Sequence, residues 1–194
     1  MNYLAHLHLA YVTKTSLEGA LMGDFIKGTK LDAHSIEQQV AIRLHRKIDL
    51  FTEESSVIQE AKRLFRAENR RFAGIALDVF WDHCLVLKLV ENDELFGFLD
   101  VVYKDLETEE LTPVATFEKL RTAILQYRWF ESFVDFSAVE KTLLRITQRR
   151  PKMLQLSQCA RDLEENCDEL QKVFSSFYPQ LCRASIEWAE ELRT

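Results

Sequence analysis

Two carboxylates and a histidine stand where a helix interior should be apolar. In FAGIALDVFWDHCLVLKL, residues 72–89, Asp78 and Asp82 lie four apart and so share one helix face, with His83 beside them. Burying an ionised carboxylate costs several kcal/mol, roughly, unless it is paired, protonated or bound to a metal. An earlier segment repeats the spacing with His45 and Asp49, and Arg46 is adjacent. Upstream, His6 and His8 interrupt the apolar LAHLHL and Asp24 interrupts LMGDFI. Every interruption is a metal-ligand type. Imidazole nitrogen with carboxylate oxygen and no thiolate suits Mn²⁺, Mg²⁺, Fe²⁺ or Zn²⁺ rather than a structural cysteine–zinc site. Such an ion would polarise a phosphoryl oxygen and acidify a water for in-line attack, with Arg46 balancing charge that develops at phosphorus. Each residue alone has a plainer reading. A lone buried histidine is usually a satisfied core residue, Asp49 could pair within its own helix, and Arg43, Arg46 or Arg121 could neutralise Asp78 and Asp82. The joint occurrence of His and Asp across several otherwise apolar segments is what favours a metal.

A basic series follows: Lys62, Arg66 and Arg70 at four-residue spacing, with Arg63 and Arg71 beside them. It reads either as a solvated helix face or as a dock for an acidic helix. Arg149, Arg150 and Lys152 flank Pro151 and could also reach a phosphate. Tyr127-Arg128-Trp129-Phe130 could line a groove for an apolar chain, although aromatics at this density more often fill a core.

The elements that must position these residues are helical. Five glycines and three prolines in 194 residues leave too few turn formers for an all-β fold. Ser16 is predicted to cap a helix through about Lys27, stopped by Gly28. A second is expected over about 36–51, with Val40, Leu44, Ile48 and Phe51 as its apolar stripe, and Ser55 or Ser56 caps a third that turns Ile58, Ala61, Leu64 and Phe65 inward. Residues 72–89 are apolar almost all round, as in a helix at the centre of a domain. Further helices are expected over about 93–108, 114–130, 137–148 and 152–192, the last broken near Pro179, with Thr112 and Pro113 as a cap and first helical position. With no repeat, low-complexity tract or linker, the expected fold is one compact all-α domain.

Composition narrows the function classes. The 47% hydrophobic content supports a sizeable core, and the four scattered cysteines lack a CxxC pair, so reduced thiols in the cytoplasm are expected. The N-terminal segment does not read as a secretory signal, and no stretch of eighteen uncharged apolar residues is present to span a bilayer. The net charge of −6 argues against non-specific nucleic-acid binding. It hides an asymmetry: residues 1–71 carry 11 Lys and Arg against 9 Asp and Glu, the remainder 14 against 22. A local basic face could therefore still meet an acidic partner.

The opening MNYLAHLHLA, then SLEGALMGDFIKG, HRKID at 45–49 and LDVFWDH at 77–83, resemble the acyl carrier protein phosphodiesterase family, as more weakly do RRP at 149–151 and FYPQL at 177–181. That resemblance implies an atypical helical branch of the HD phosphohydrolases that uses Mn²⁺ first, with Mg²⁺ or Fe²⁺ as alternatives. It implies hydrolysis of the phosphodiester joining 4′-phosphopantetheine to a serine of holo-acyl carrier protein. It also implies that Asp24, His45, Asp78, Asp82 and His83 include the metal ligands and the proton-transfer group, with His83 as the acid that protonates the departing serine. His6, His8 and Asp49 are further ligand or supporting candidates. Lys62, Arg63, Arg66 and Arg70 become the expected dock for the acidic carrier protein. Two departures stand out: position 20 is Ala where the family often has Asn, and no His-Asp dipeptide occurs. The alternatives are an HD-like phosphohydrolase of a nucleotide or other small phosphoester, and a helical binding module without activity. A di-iron carboxylate bundle is set aside because no Glu-x-x-His motif exists.

Overall fold

In the computed structural model, which describes residues 1–107, 112 and 114–194, the chain is all helix and turn, with no strand among those residues. The α-helices are α1 (Tyr3–Thr13), α2 (Leu17–Met22), α3 (Ile36–Glu54), α4 (Ser56–Arg63), α5 (Ala73–Glu91), α6 (Leu95–Leu106), α7 (Ala115–Tyr127), α8 (Ser137–Arg149), α9 (Cys159–Glu165) and α10 (Cys167–Arg193). Tighter 3₁₀ turns at Arg70–Phe72, Trp129–Val134 and Pro151–Gln158 join some of them. The expected all-α domain is therefore what forms.

The apolar segment at 72–89 becomes α5, the central helix. Phe80, Trp81, Leu85 and Val86 are fully buried, each side chain contributing about 1.5–3 kcal/mol. Trp81 stacks on Phe174 of α10, centroids 5.6 Å apart. Helix α1 packs against α2, α5, α6 and α10, and α3 against α2 and α10, so the candidate ligands on α1, α3 and α5 converge from different parts of the chain. Ser35 and Gln38 start α3 with a reciprocal capping box. Gly19 lets α2 lie close on α3, since a Cβ there would stand 2.9 Å from the Ala41 Cβ.

Three element boundaries differ from expectation. Ser16 caps α2 through its bond to the Gly19 amide, but the helix ends at Met22, well before Lys27. The chain then turns to present Asp24, and Gly28 supplies a positive φ of 80° in the loop that follows rather than a helix stop. The last helix breaks at Asn166 and runs through Pro179. Proline costs a helix about 3 kcal/mol, and the buried Phe174, Phe177, Tyr178 and Leu181 flanking it offset that loss. The basic series is not one helix face, because α4 ends at Arg63, leaving Arg66 in a loop and Arg70 in a 3₁₀ turn. Of the expected cap at Thr112 and Pro113, Pro113 lies outside the described residues, as does Thr108 at the expected end of the preceding helix. Among the described residues all four cysteines are unpaired, and no helix is long and apolar enough to cross a membrane.

Candidate metal centre

Two imidazoles and a carboxylate form the centre of the site. His6 of α1 and His45 of α3 stack with ring centroids 3.7 Å apart. Asp49, one turn after His45, accepts from the His6 Nε2 at 3.1 Å with one oxygen and lies 3.2 Å from the His45 Nε2 with the other. The candidate ligand atoms of these three residues lie within 4.8 Å of one another. Asp24, from the turn after α2, reaches the His45 Nε2 at 3.5 Å. Asp78 of α5 joins through the Met1 amino group, which lies 3.2 Å from both Asp78 and Asp49.

The state of His45 follows from its partners. Its Nδ1 donates to the Ala20 carbonyl at 2.7 Å, because a carbonyl can only accept. Its Nε2 then faces two carboxylates, which also only accept, so that nitrogen must carry a proton or share a cation with them. Burial disfavours the charged ring, but hydrogen bonds to Asp24 and Asp49 outweigh it and push the pKa up to about 9. Burial, then the charge on His45, lowers that of His6 to about 4. The two stacked rings therefore carry one positive charge between them near neutral pH. Burial opposes ionisation of Asp49, yet its bonds to His45 and His6 hold the carboxyl far below the usual carboxylate range. Asp24 is also lowered, against its burial, by His45. Asp78 is raised by burial despite the nearby ammonium.

These residues fit a divalent cation. The donors are nitrogen and carboxylate oxygen, the tautomer of His45 leaves Nε2 turned to the carboxylates, and His6 Nδ1 is buried without a partner. At position 20 it is the backbone carbonyl, which any residue would supply, that orients the histidine.

Gly23 was not singled out in the sequence, and only the packing reveals why it is glycine. A Cβ there would stand 2.3 Å from the His45 Cγ, although its φ of −50° suits any residue. Gly23→Ala is expected to cost about 1–3 kcal/mol by overpacking. It should also displace the ring, so that the His45 imidazole, followed by NMR, titrates below its raised value. An unchanged titration would separate Gly23 from the site.

Other candidates lie elsewhere. His8, two residues from His6, faces the opposite side of α1, where its Nδ1 is 2.9 Å from the Tyr178 hydroxyl and its ring meets Phe98 edge-on. His83 donates from Nδ1 to the Phe133 carbonyl at 2.6 Å and packs against Phe80 and Phe136, away from the His6–His45 pair in its contacts. Asp82 is fully buried, and it accepts from Asn2 Nδ2 at 2.7 Å and from the Leu4 and Ala5 amides at 3.3 and 3.0 Å. It caps α1 from across the fold. Arg46 donates from Nη2 to the Ile26 carbonyl at 2.8 Å, tying α3 to the loop that carries Asp24. Arg121 pairs with Glu118 and Glu18 rather than with the α5 carboxylates.

The expected dock is also redrawn. Arg66 pairs with Asp162 at 3.0 Å and with Glu165, and Arg70 donates to the carbonyls of Phe65 and Arg63. Lys62 and Arg63 on α4 remain, the first half-buried and the second exposed. Phe130 is buried in the core against Tyr103, so the aromatic run does not line an open groove along its length.

Comparison with known proteins agrees across nearly the whole chain. The family model for acyl carrier protein phosphodiesterase matches residues 1–181. A relative of that name from Pectobacterium atrosepticum is 34% identical over 184 residues, covering 93% of this chain and 95% of its own. Namesakes from Yersinia enterocolitica and Photorhabdus laumondii are 35% and 32% identical, each over 93% of this chain and over 95% and 93% of their own lengths. No solved structure matches the chain.

Proposed function

The chain belongs to the acyl carrier protein phosphodiesterase family, and on that premise we propose that it hydrolyses holo-acyl carrier protein to apo-carrier protein and free 4′-phosphopantetheine in a metal-dependent reaction. The observation that carries the metal dependence is His45, whose Nδ1 is committed to Ala20 while its Nε2 faces Asp24 and Asp49. Asp24, His45, Asp49 and Asp78 would hold the ion, with His6 supporting Asp49. A bound Mn²⁺, or alternatively Mg²⁺ or Fe²⁺, supplies Lewis acidity toward a phosphoryl oxygen and acidifies a water.

In the reaction, water oxygen adds to phosphorus, the bond from phosphorus to the carrier serine breaks, and the proton that the water gives up balances the one that the serine oxygen takes. Asp49 fixes the orientation of both imidazoles. Arg46 holds the Asp24 loop through Ile26 and keeps further N–H donors for phosphate oxygens. Tyr3, at the start of α1, retains its proton because burial and the nearby Asp24 raise its pKa above 10, so its hydroxyl remains a donor.

The test is mass spectrometry of holo-acyl carrier protein incubated with the protein and Mn²⁺, beside an EDTA arm. Loss of the phosphopantetheine mass with Mn²⁺ and not with EDTA is the expected result. An intact carrier in both arms would overturn the reading and favour a small phosphoester as substrate.

A further inference from the structure

The longest acid-free stretch near the site lies in a segment the reaction does not use. Residues 141–158, KTLLRITQRRPKMLQLSQ, contain Lys141, Arg145, Arg149, Arg150 and Lys152 and no Asp or Glu, in a chain whose net charge is −6. Arg145, Arg149, Arg150 and Lys152 are exposed, and none has an ion-pair partner among the described residues. This contrasts with Arg66 and Arg161, which are tied to carboxylates. Repulsion among unpaired like charges is a standing cost that a bound anion would remove.

The fold sets this segment against α5, the helix that carries Asp78. Helix α8 packs on α5, and Pro151 forces the chain out of the helix into the 3₁₀ turn, which packs on the Arg70–Phe72 turn. A hydrogen bond of 2.7 Å from Arg71 to Gln155 joins those two turns. On one side, Arg149 and Arg150 act electrostatically on Tyr3, the residue that also feels Asp24. On the other, the end of Lys62 lies 3.6–3.9 Å from where a Gly74 Cβ would stand, one helical turn before Asp78.

We propose that Arg149, Arg150 and Lys152, with Arg145 behind them, form one jaw of a basic docking face whose other jaw is Lys62 and Arg63, and that this face receives the acidic surface of the carrier protein. The proposal rests on the carrier-protein reading above. Cations on both sides of the cluster direct an acidic partner so that its phosphodiester enters between them, and the pairing weakens as salt rises.

The experiment compares wild type, Arg149→Glu/Arg150→Glu and Arg149→Lys/Arg150→Lys for binding of holo-acyl carrier protein to the full chain by calorimetry, at low and at 0.5 M salt. Circular dichroism checks folding, and Lys172→Glu, on exposed α10 surface, serves as a charge control. The expected result is at least about a tenfold weaker Kd for the Glu pair at low salt, near-wild-type binding for the Lys pair and for Lys172→Glu, and a smaller salt dependence in the Glu pair. Wild-type cleavage of the carrier with equal binding by the folded Glu pair would overturn this proposal alone. Failure of wild type to bind or cleave the carrier would overturn the underlying reading with it. Wild-type binding to anionic phospholipid vesicles but not to the carrier would assign the face to a membrane and also overturn it.

Discussion

Asp49→Ala is expected to lower turnover of holo-carrier protein by about a thousandfold or more, equivalent to roughly 4 kcal/mol of transition-state stabilisation. One carboxylate contacts His6, His45 and the Met1 amino group, so its removal takes a partner from all three at once. In metal-free protein the same variant should change the pH dependence of stability. The folded pKa of His45, about 9, lies above its usual 6.5, so its stabilisation is complete below about pH 6.5 and is lost as pH rises through 9. That shift corresponds to something on the order of 3 kcal/mol. Asp49 is depressed, so its contribution is present above the usual value of 3.8 and is lost only as pH falls below it. Urea unfolding in EDTA should therefore show wild type losing stability between about pH 6.5 and 9, and Asp49→Ala losing less over that range, with the remainder held by Asp24. Turnover within a few fold of wild type would remove Asp49 from the centre.

For Asp82→Ala the large effect falls on stability, about 2–4 kcal/mol, because the change leaves the Leu4 and Ala5 amides and Asn2 without their buried acceptor. In a chain of this size each kcal/mol is worth roughly 2–4 °C in Tm, so calorimetric scanning reads the loss directly. Burial pushes the Asp82 carboxyl up to about 7 even though the amides of Ala5 and Leu4 and the Asn2 side chain oppose the shift. The folded fraction of Asp82→Ala should still take up Mn²⁺ in a calorimetric titration, whereas Asp49→Ala should not. If folded Asp82→Ala instead loses the metal as completely as Asp49→Ala, Asp82 is a ligand and its role as the cap of α1 is secondary.

Much of this protein was legible in the residue pattern. Sparse glycine and proline with apolar residues at helical spacing determine an all-α chain, and the nearly all-round apolar run at 72–89 identifies its central helix. Carboxylates and imidazoles placed in apolar segments mark the candidate centre, because such groups are too costly to bury without a partner. The four ordered motifs carry the family. Four-residue spacing also correctly joined His45 to Asp49 on one face of α3.

Only the tertiary structure decided which polar insertions meet. His6 and His8 look equivalent in LAHLHL, yet two residues of helix rotate one toward Asp49 and the other toward Tyr178. Asp78 and Asp82 share a face of α5, but the first amides of α1 claim Asp82 while Asp78 reaches the Met1 amino group. The need for glycine at position 23 comes from a ring on another helix. The same is true of the basic residues, where Arg66 is neutralised by α9 carboxylates remote in sequence while Arg149 and Arg150 remain without ion-pair partners. Spacing along a helix determines which side chains share a face, whereas partners brought from other helices determine which of them are available for chemistry.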